Sequence, residues 1–208
     1  MSRAAPEAFE IASLLLRYPA QAELDRDPEV AAAAGRLPKR LRGPIERFLA
    51  HRSETPAIDL EQEYVETFDT RRRCTLNVSY YLYGDTRRRG VALLRLKRMY
   101  AAAGLVLDSD ELPDHLPVML EFAALAPPGY GEHVLQEHRI GIELLLLSLR
   151  DAGRPHADVL EAVSAALPRL GLSQTRAVRR LAAEGPPDEQ VGLEPFAPPE
   201  VMPLEVRQ

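Results

Sequence analysis

His133 and His138 each follow a glutamate, Glu132 and Glu137, and such histidine–carboxylate pairs are the raw material of metal centres. Their spacing argues against one. Positions five apart on a helix point about 140° away from each other, so the two imidazoles do not converge on an ion. The chain holds no Glu-x-x-His pair and no His-Glu-x-x-His motif, the patterns of di-iron carboxylate sites and zinc hydrolases. Cys74, the single cysteine, follows Arg71-Arg72-Arg73, and neighbouring positive charge favours the reactive thiolate. With no evident histidine partner, a structural thiol is the plainer reading. Gly129-Tyr130-Gly131 reads as a turn, because no Lys-Ser/Thr follows to make a phosphate loop. No acid, base, nucleophile and metal set converges, so the expectation is a protein that is not an enzyme and carries no cofactor.

The composition narrows the class. With 208 residues, 46% hydrophobic and 27% charged, the chain suits one soluble core. A single cysteine excludes an internal disulfide framework and fits a reducing, cytoplasmic setting. The apolar run Ile140 to Leu149 contains Glu143 and is too short to span a bilayer. A net charge of −5 disfavours nucleic-acid binding by the whole surface. The triplets Arg71–Arg73 and Arg87–Arg89 keep one alternative open, a helical nucleic-acid-binding regulator, against the plainer reading of solvated helix-end charge.

The elements that position these residues read as helices throughout, giving an all-α, single-domain multi-helix bundle over residues 1–184. Phe9, Ile11, Ala12 and Leu14–Leu16 make an amphipathic first helix ending before Pro19. Leu41, Ile45, Phe48 and Leu49 predict a helix over 40–51, with Gly43-Pro44 splitting it near its start. Asp59 is the expected N-cap of a helix with Leu60, Tyr64 and Phe68 in one stripe, widened by Val65. Leu76 to Tyr83 reads as a short helix. Arg87 to Ala103 reads as a long one, with Val91, Leu93, Leu94, Leu96, Met99 and Tyr100 inward and its arginines outward. Asp114 is the expected N-cap of a helix whose first turn holds Pro117. The longest helix is predicted over 130–151, nearly apolar all round at Leu144–Leu147 and therefore central. Two more follow, one reaching Leu170 and one capped by Ser173. Residues 185–208 carry six prolines and count to about −4, the composition of a disordered or extended acidic tail.

Three stretches together resemble a family: YVETFD (Tyr64–Asp69), YGDTRRRGVALLRLKRMY (Tyr83–Tyr100) and ELPDHLPVMLEF (Glu111–Phe122). They are similar to the nitrate reductase assembly chaperones, also called the delta subunit, of the NarJ type. These belong to the redox-enzyme maturation chaperones that share the Pro-Asp-His element found here at Pro113-Asp114-His115. The resemblance implies an all-helical chaperone, not a catalyst. It would bind the N-terminal leader-like segment of the nitrate reductase catalytic (alpha) subunit until molybdenum cofactor is inserted. A groove for an amphipathic helix needs apolar anchors and polar ends. Spacing assigns Tyr64, Phe68, Tyr83 and Met119 to its trough, and the shared motif assigns Asp114 to a basic leader residue and His115 to the leader backbone. The tail, with Leu193, Pro195, Phe196 and Met202, is a candidate to fill that groove when it is empty.

Overall fold

A computed structural model describes residues 4–185 apart from Ser109; the expected tail beyond Gly185 lies outside the described residues. Among them the fold is all-helical, and the one β feature is an isolated antiparallel bridge between Asn77 and His115. The helices are α1 (Ala5–Leu15), α2 (Gln21–Leu24), α3 (Asp27–Ala34), α4 (Lys39–Glu54), α5 (Ala57–Tyr64) and α6 (Tyr80–Tyr83). They continue as α7 (Arg87–Ala102), α8 (Leu116–Leu125), α9 (Tyr130–Glu137), α10 (Arg139–Asp151), α11 (His156–Ala166) and α12 (Leu172–Glu184). No helix here is long and apolar enough to cross a membrane.

The core follows from the apolar stripes. α1 lies along α8 and α11, α4 lies along α11, and α10 is packed by α11, α12 and α6. Phe9, Leu16, Leu41, Leu120, Ile142 and Leu145 are fully enclosed between these faces. α10 is central as expected, with Leu144, Leu145, Leu146 and Leu149 buried. Its closest approach is at Gly141. A Cβ there would stand 2.3 Å from the Val78 carbonyl oxygen, a separation no side chain tolerates. Glycine at 141 therefore lets α10 touch the backbone of the segment before α6.

Several local expectations are corrected. Pro44 does not split α4, which runs through it with Leu41, Ile45 and Phe48 buried; tertiary packing outweighs one lost backbone hydrogen bond. Pro56 precedes α5 in the cap position, so Asp59 sits inside the first turn, where its charge suits the helix dipole. After Tyr64 the helix widens into a π turn over Val65–Asp69, closed by the Thr70 N–H donating to the Val65 carbonyl at 3.1 Å. This rotation turns Val65 outward while Phe68 stays buried. Of the stretch 76–83 only the last turn is helical, because Leu76–Ser79 is extended to pair with 114–116. The longest predicted helix breaks at His138, whose Nδ1 lies 2.9 Å from the Val134 carbonyl, giving α9 and α10. α11 stops at Ala166, so Leu170 is outside it. Gly171, not Ser173, occupies the cap of α12, and the Gln174 side chain accepts from its N–H at 3.0 Å.

The largest departure is α7. Only Leu96 and Tyr100 are buried, whereas Val91 is 70% and Leu94 51% exposed. Arg89 also departs from expectation by turning inward, 3.3 Å from Asp114 and from Asp85.

Candidate functional site

The Pro113-Asp114-His115 element is the junction on which the site is built. The Val78 N–H donates to the Asp114 carbonyl at 3.1 Å and the Leu116 N–H to the Leu76 carbonyl at 2.9 Å. The Tyr100 hydroxyl donates to the Pro113 carbonyl at 2.7 Å. The Asp114 carboxylate is fully buried. It accepts from the Asn77 amide at 3.1 Å, the Ser79 hydroxyl at 2.5 Å and the Arg89 guanidinium at 3.3 Å. Asp114 therefore does not cap α8; His115 occupies that position. Nor has it any surface to offer a bound basic residue. Its three side-chain partners tie the extended strand of 77–79 and α7 to the start of α8, and so fix where His115 stands.

His115 lines a cleft of about 670 Å³ together with Tyr18, Tyr64, Phe68, Leu76 and Val118. α5 and the π turn supply Tyr64 and Phe68, whose rings stand 4.8 Å apart. Tyr18, after α1, meets Tyr64 edge-on at 5.4 Å. The Tyr64 hydroxyl donates to the Leu16 carbonyl at 3.2 Å, which holds the ring flat against the cleft wall. Behind it His156 is buried against Phe68 at 4.8 Å and Phe48 at 4.9 Å, and burial pushes its pKa down to about 3. The His115 pKa is also lowered by burial, against the opposing pull of Glu111 and Asp114, so the imidazole is neutral at pH 7. A neutral ring has one donor and one acceptor for a peptide group.

Four carboxylates, Asp69, Asp108, Glu111 and Glu121, face this cleft against one guanidinium, Arg17, itself 3.0 Å from Glu121. The cleft therefore combines an aromatic wall with a negative field. Of the six residues expected from sequence, the structure brings together Tyr64, Phe68 and His115. Met119 is enclosed in the core beneath, where the inner face of α8 packs. Tyr83 lies in a separate hollow with Val91, Leu96 and Met99 of α7. Two of the missed acids were legible: Asp69 and Glu111 lie inside the motifs already singled out. Tyr18 and Glu121 had no such signal, because only the packing of α1 on α8 makes them neighbours.

A second concavity, of about 540 Å³, opens on the opposite flank of α5–α6 between α10 and α12. It is lined by Tyr80, Tyr81, Leu144, Leu147 and Leu181, with Cys74 in its wall and Arg71 and Arg73 at its edge. Cys74 is buried, and burial pushes its thiol pKa up against the opposing pull of Arg71 and Arg154. That is the environment of an inert thiol. The described residues contain no cluster of three or more metal-ligating side chains.

The comparisons with known proteins bear on the chain as a whole. The family described as nitrate reductase delta subunit matches residues 25–161. The probable nitrate reductase molybdenum cofactor assembly chaperone NarJ of Bacillus subtilis is 32% identical over 171 residues, 80% of this chain and 91% of that protein. NarJ of Escherichia coli K12, a nitrate reductase molybdenum cofactor assembly chaperone, is 36% identical over 143 residues, 67% of this chain and 60% of its own. The nitrate reductase-like protein NarX of Mycobacterium tuberculosis H37Rv is 34% identical over 155 residues, 74% of this chain; the match spans only 23% of that longer protein. An all-helical chain with the delta-subunit profile across most of its helices, and with relatives above 30% identity along four-fifths of its length, belongs to the nitrate reductase delta subunit family.

Proposed function

We propose that this chain is an assembly chaperone for respiratory nitrate reductase that holds the N-terminal leader-like segment of the catalytic subunit while molybdenum cofactor is inserted. In this reading it works by binding in the cytoplasm and catalyses no reaction. The supporting observation is the cleft of Tyr18, Tyr64, Phe68 and His115 with its four acidic residues. An amphipathic helix presents anchors at i, i+3, i+4 and i+7, which an aromatic wall receives. Its free amino end and basic residues complement Asp69, Asp108, Glu111 and Glu121. These rim acids take the charge-pairing role, and Asp114 acts behind them as the group that positions His115. The names of the Bacillus and Escherichia relatives support the chaperone part of the reading.

The test is calorimetric titration with a peptide of roughly fifteen residues, about four helical turns, from the start of the cognate catalytic subunit. One-to-one binding with a negative heat-capacity change, weakened by Phe68→Leu and by Glu121→Lys but not by Arg88→Ala, is the expected outcome. Equal losses from all three substitutions would remove the cleft from the reading, and no binding across several pH values would remove the leader as client.

A further inference from the structure

The cavity between α10 and α12 has an occupant within the chain itself. We propose that residues 186–208 dock there, seating Leu193 and Phe196 against Tyr80, Tyr81, Leu144 and Leu147, with their carboxylates beside Arg71 and Arg73. Four observations converge on this segment.

Gly185, the last described residue, is part of the cavity wall. Its φ of +83° is open to glycine and strained for other residues, and it ends α12 with its N–H donating to the Leu181 carbonyl at 2.9 Å. The chain thus leaves α12 at the rim of the cavity. The charges match: Asp188, Glu189, Glu194, Glu200 and Glu205 stand against Arg207 alone in the segment. Arg71 and Arg73 edge the cavity, where Asp151 is the single carboxylate, and neither arginine has an ion-pair partner among the described residues.

The shapes match as well. Pro186, Pro187, Pro195, Pro198, Pro199 and Pro203 favour the extended polyproline conformation, which loses little entropy on docking into an aromatic-lined groove. Two tyrosines line this one. Its volume of about 540 Å³ takes a few side chains rather than the whole segment, so anchoring by Leu193 and Phe196 suffices. Leu147, an exposed leucine on an otherwise buried helix, faces this cavity and would be covered. The docked segment closes the basic cavity and leaves the acidic cleft open, so any partner using the cavity must first displace it.

Cys74 reports directly on occupancy, being the only cysteine in the chain and part of the wall. The measurement is its rate of modification by an aromatic disulfide reagent in the full chain. Leu193→Ser with Phe196→Ser should raise that rate about tenfold, the factor expected if nine-tenths of molecules are closed. Arg71→Glu with Arg73→Glu should raise it too. Loss of Arg71 alone would disfavour the thiolate and slow the reaction, so acceleration identifies uncovering of the cavity. Cysteines placed singly at Leu193, Phe196 and Met202 should form an intramolecular disulfide with Cys74 in at least one case, at a rate independent of protein concentration. An unchanged rate in the Leu193/Phe196 variant would overturn the proposal. So would crosslinking that rises with concentration, which would put the segment in a second copy, or equal acceleration by Arg87→Glu with Arg98→Glu on α7. Because neither residue pair touches the acidic cleft, leader-peptide titration on the same variants separates failure of this inference from failure of the chaperone reading. Protection of Cys74 by the leader peptide would assign the cavity to the client and overturn the segment's claim to it.

Discussion

The acidic cleft beside α5 and the basic cavity beside α12 are made from the same materials, tyrosines and leucines edged with charge, yet the signs of their edges are opposite. They lie on two sides of a shared partition, the segment running from the π turn through Cys74 to α6. Asp69 ends the π turn on the cleft side, and two residues on Arg71 edges the cavity. Apolar lining makes each a place for a peptide, and charge decides which peptide. A basic helix suits the cleft, and an acidic proline-rich strand suits the cavity. One short stretch of chain thus serves two occupants without cross-reaction.

The partition is held by buried polar groups, and removing them should damage both sites together. Asp114→Ala leaves Arg89 half-enclosed without its partner and strips Asn77 and Ser79 of theirs. A loss of about 3–5 kcal/mol is expected from breaking such a pair, measured as a fall in urea midpoint. Wild-type stability in this variant would mean that the partition does not depend on the junction. Gly141→Ala should cost about 3 kcal/mol by driving α10 off the Val78 carbonyl, with both the leader titration and Cys74 protection affected. An effect confined to one site would show that the two are mechanically separate.

Acid should separate them. His156 backs the cleft wall and not the cavity, and its pKa is pushed down to about 3, first by burial and then by the charges of His51, Arg52 and Arg154. The unfolded chain therefore binds this proton more readily than the folded one. Stability from His156 is present above its ordinary pKa near 6.5 and is lost as pH falls toward 3, at up to about 1.4 kcal/mol per pH unit. Denaturation followed from pH 7 to pH 4 should show that slope, and His156→Gln should flatten it. An unchanged slope would take His156 out of the account. Smallest are the rim charges. Asp69→Lys or Glu121→Lys should weaken a basic peptide by about 1 kcal/mol, less at high salt, and leave stability and Cys74 reactivity where they were.

The helical class, the central place of Leu144–Leu149 and the aromatic stripe at Tyr64 and Phe68 were legible in the sequence, because apolar spacing at the helical period carries that information locally. The assignment of Asp114 as a cap was a fair local reading that lost to a distant one: Asn77, Ser79 and Arg89 offered three partners, where a helix start offers one or two. The exposure of Val91 and Leu94 was illegible for a related reason. Their spacing fits an inward face, but α7 packs mainly through its later turns and leaves that face uncovered.

By itself, then, the sequence determined which segments are helical, which faces are apolar, and which motifs belong to the delta-subunit family. Periodicity, proline and glycine are properties of neighbours along the chain. Only the tertiary structure decided that Tyr18 joins Tyr64, that Arg89 turns in to Asp114, and that acidic and basic residues sort onto opposite sides of one partition. Those depend on how α1, α7 and α10 are oriented around α8, and orientation is set by the summed packing of faces far apart in sequence, such as Gly141 against Val78.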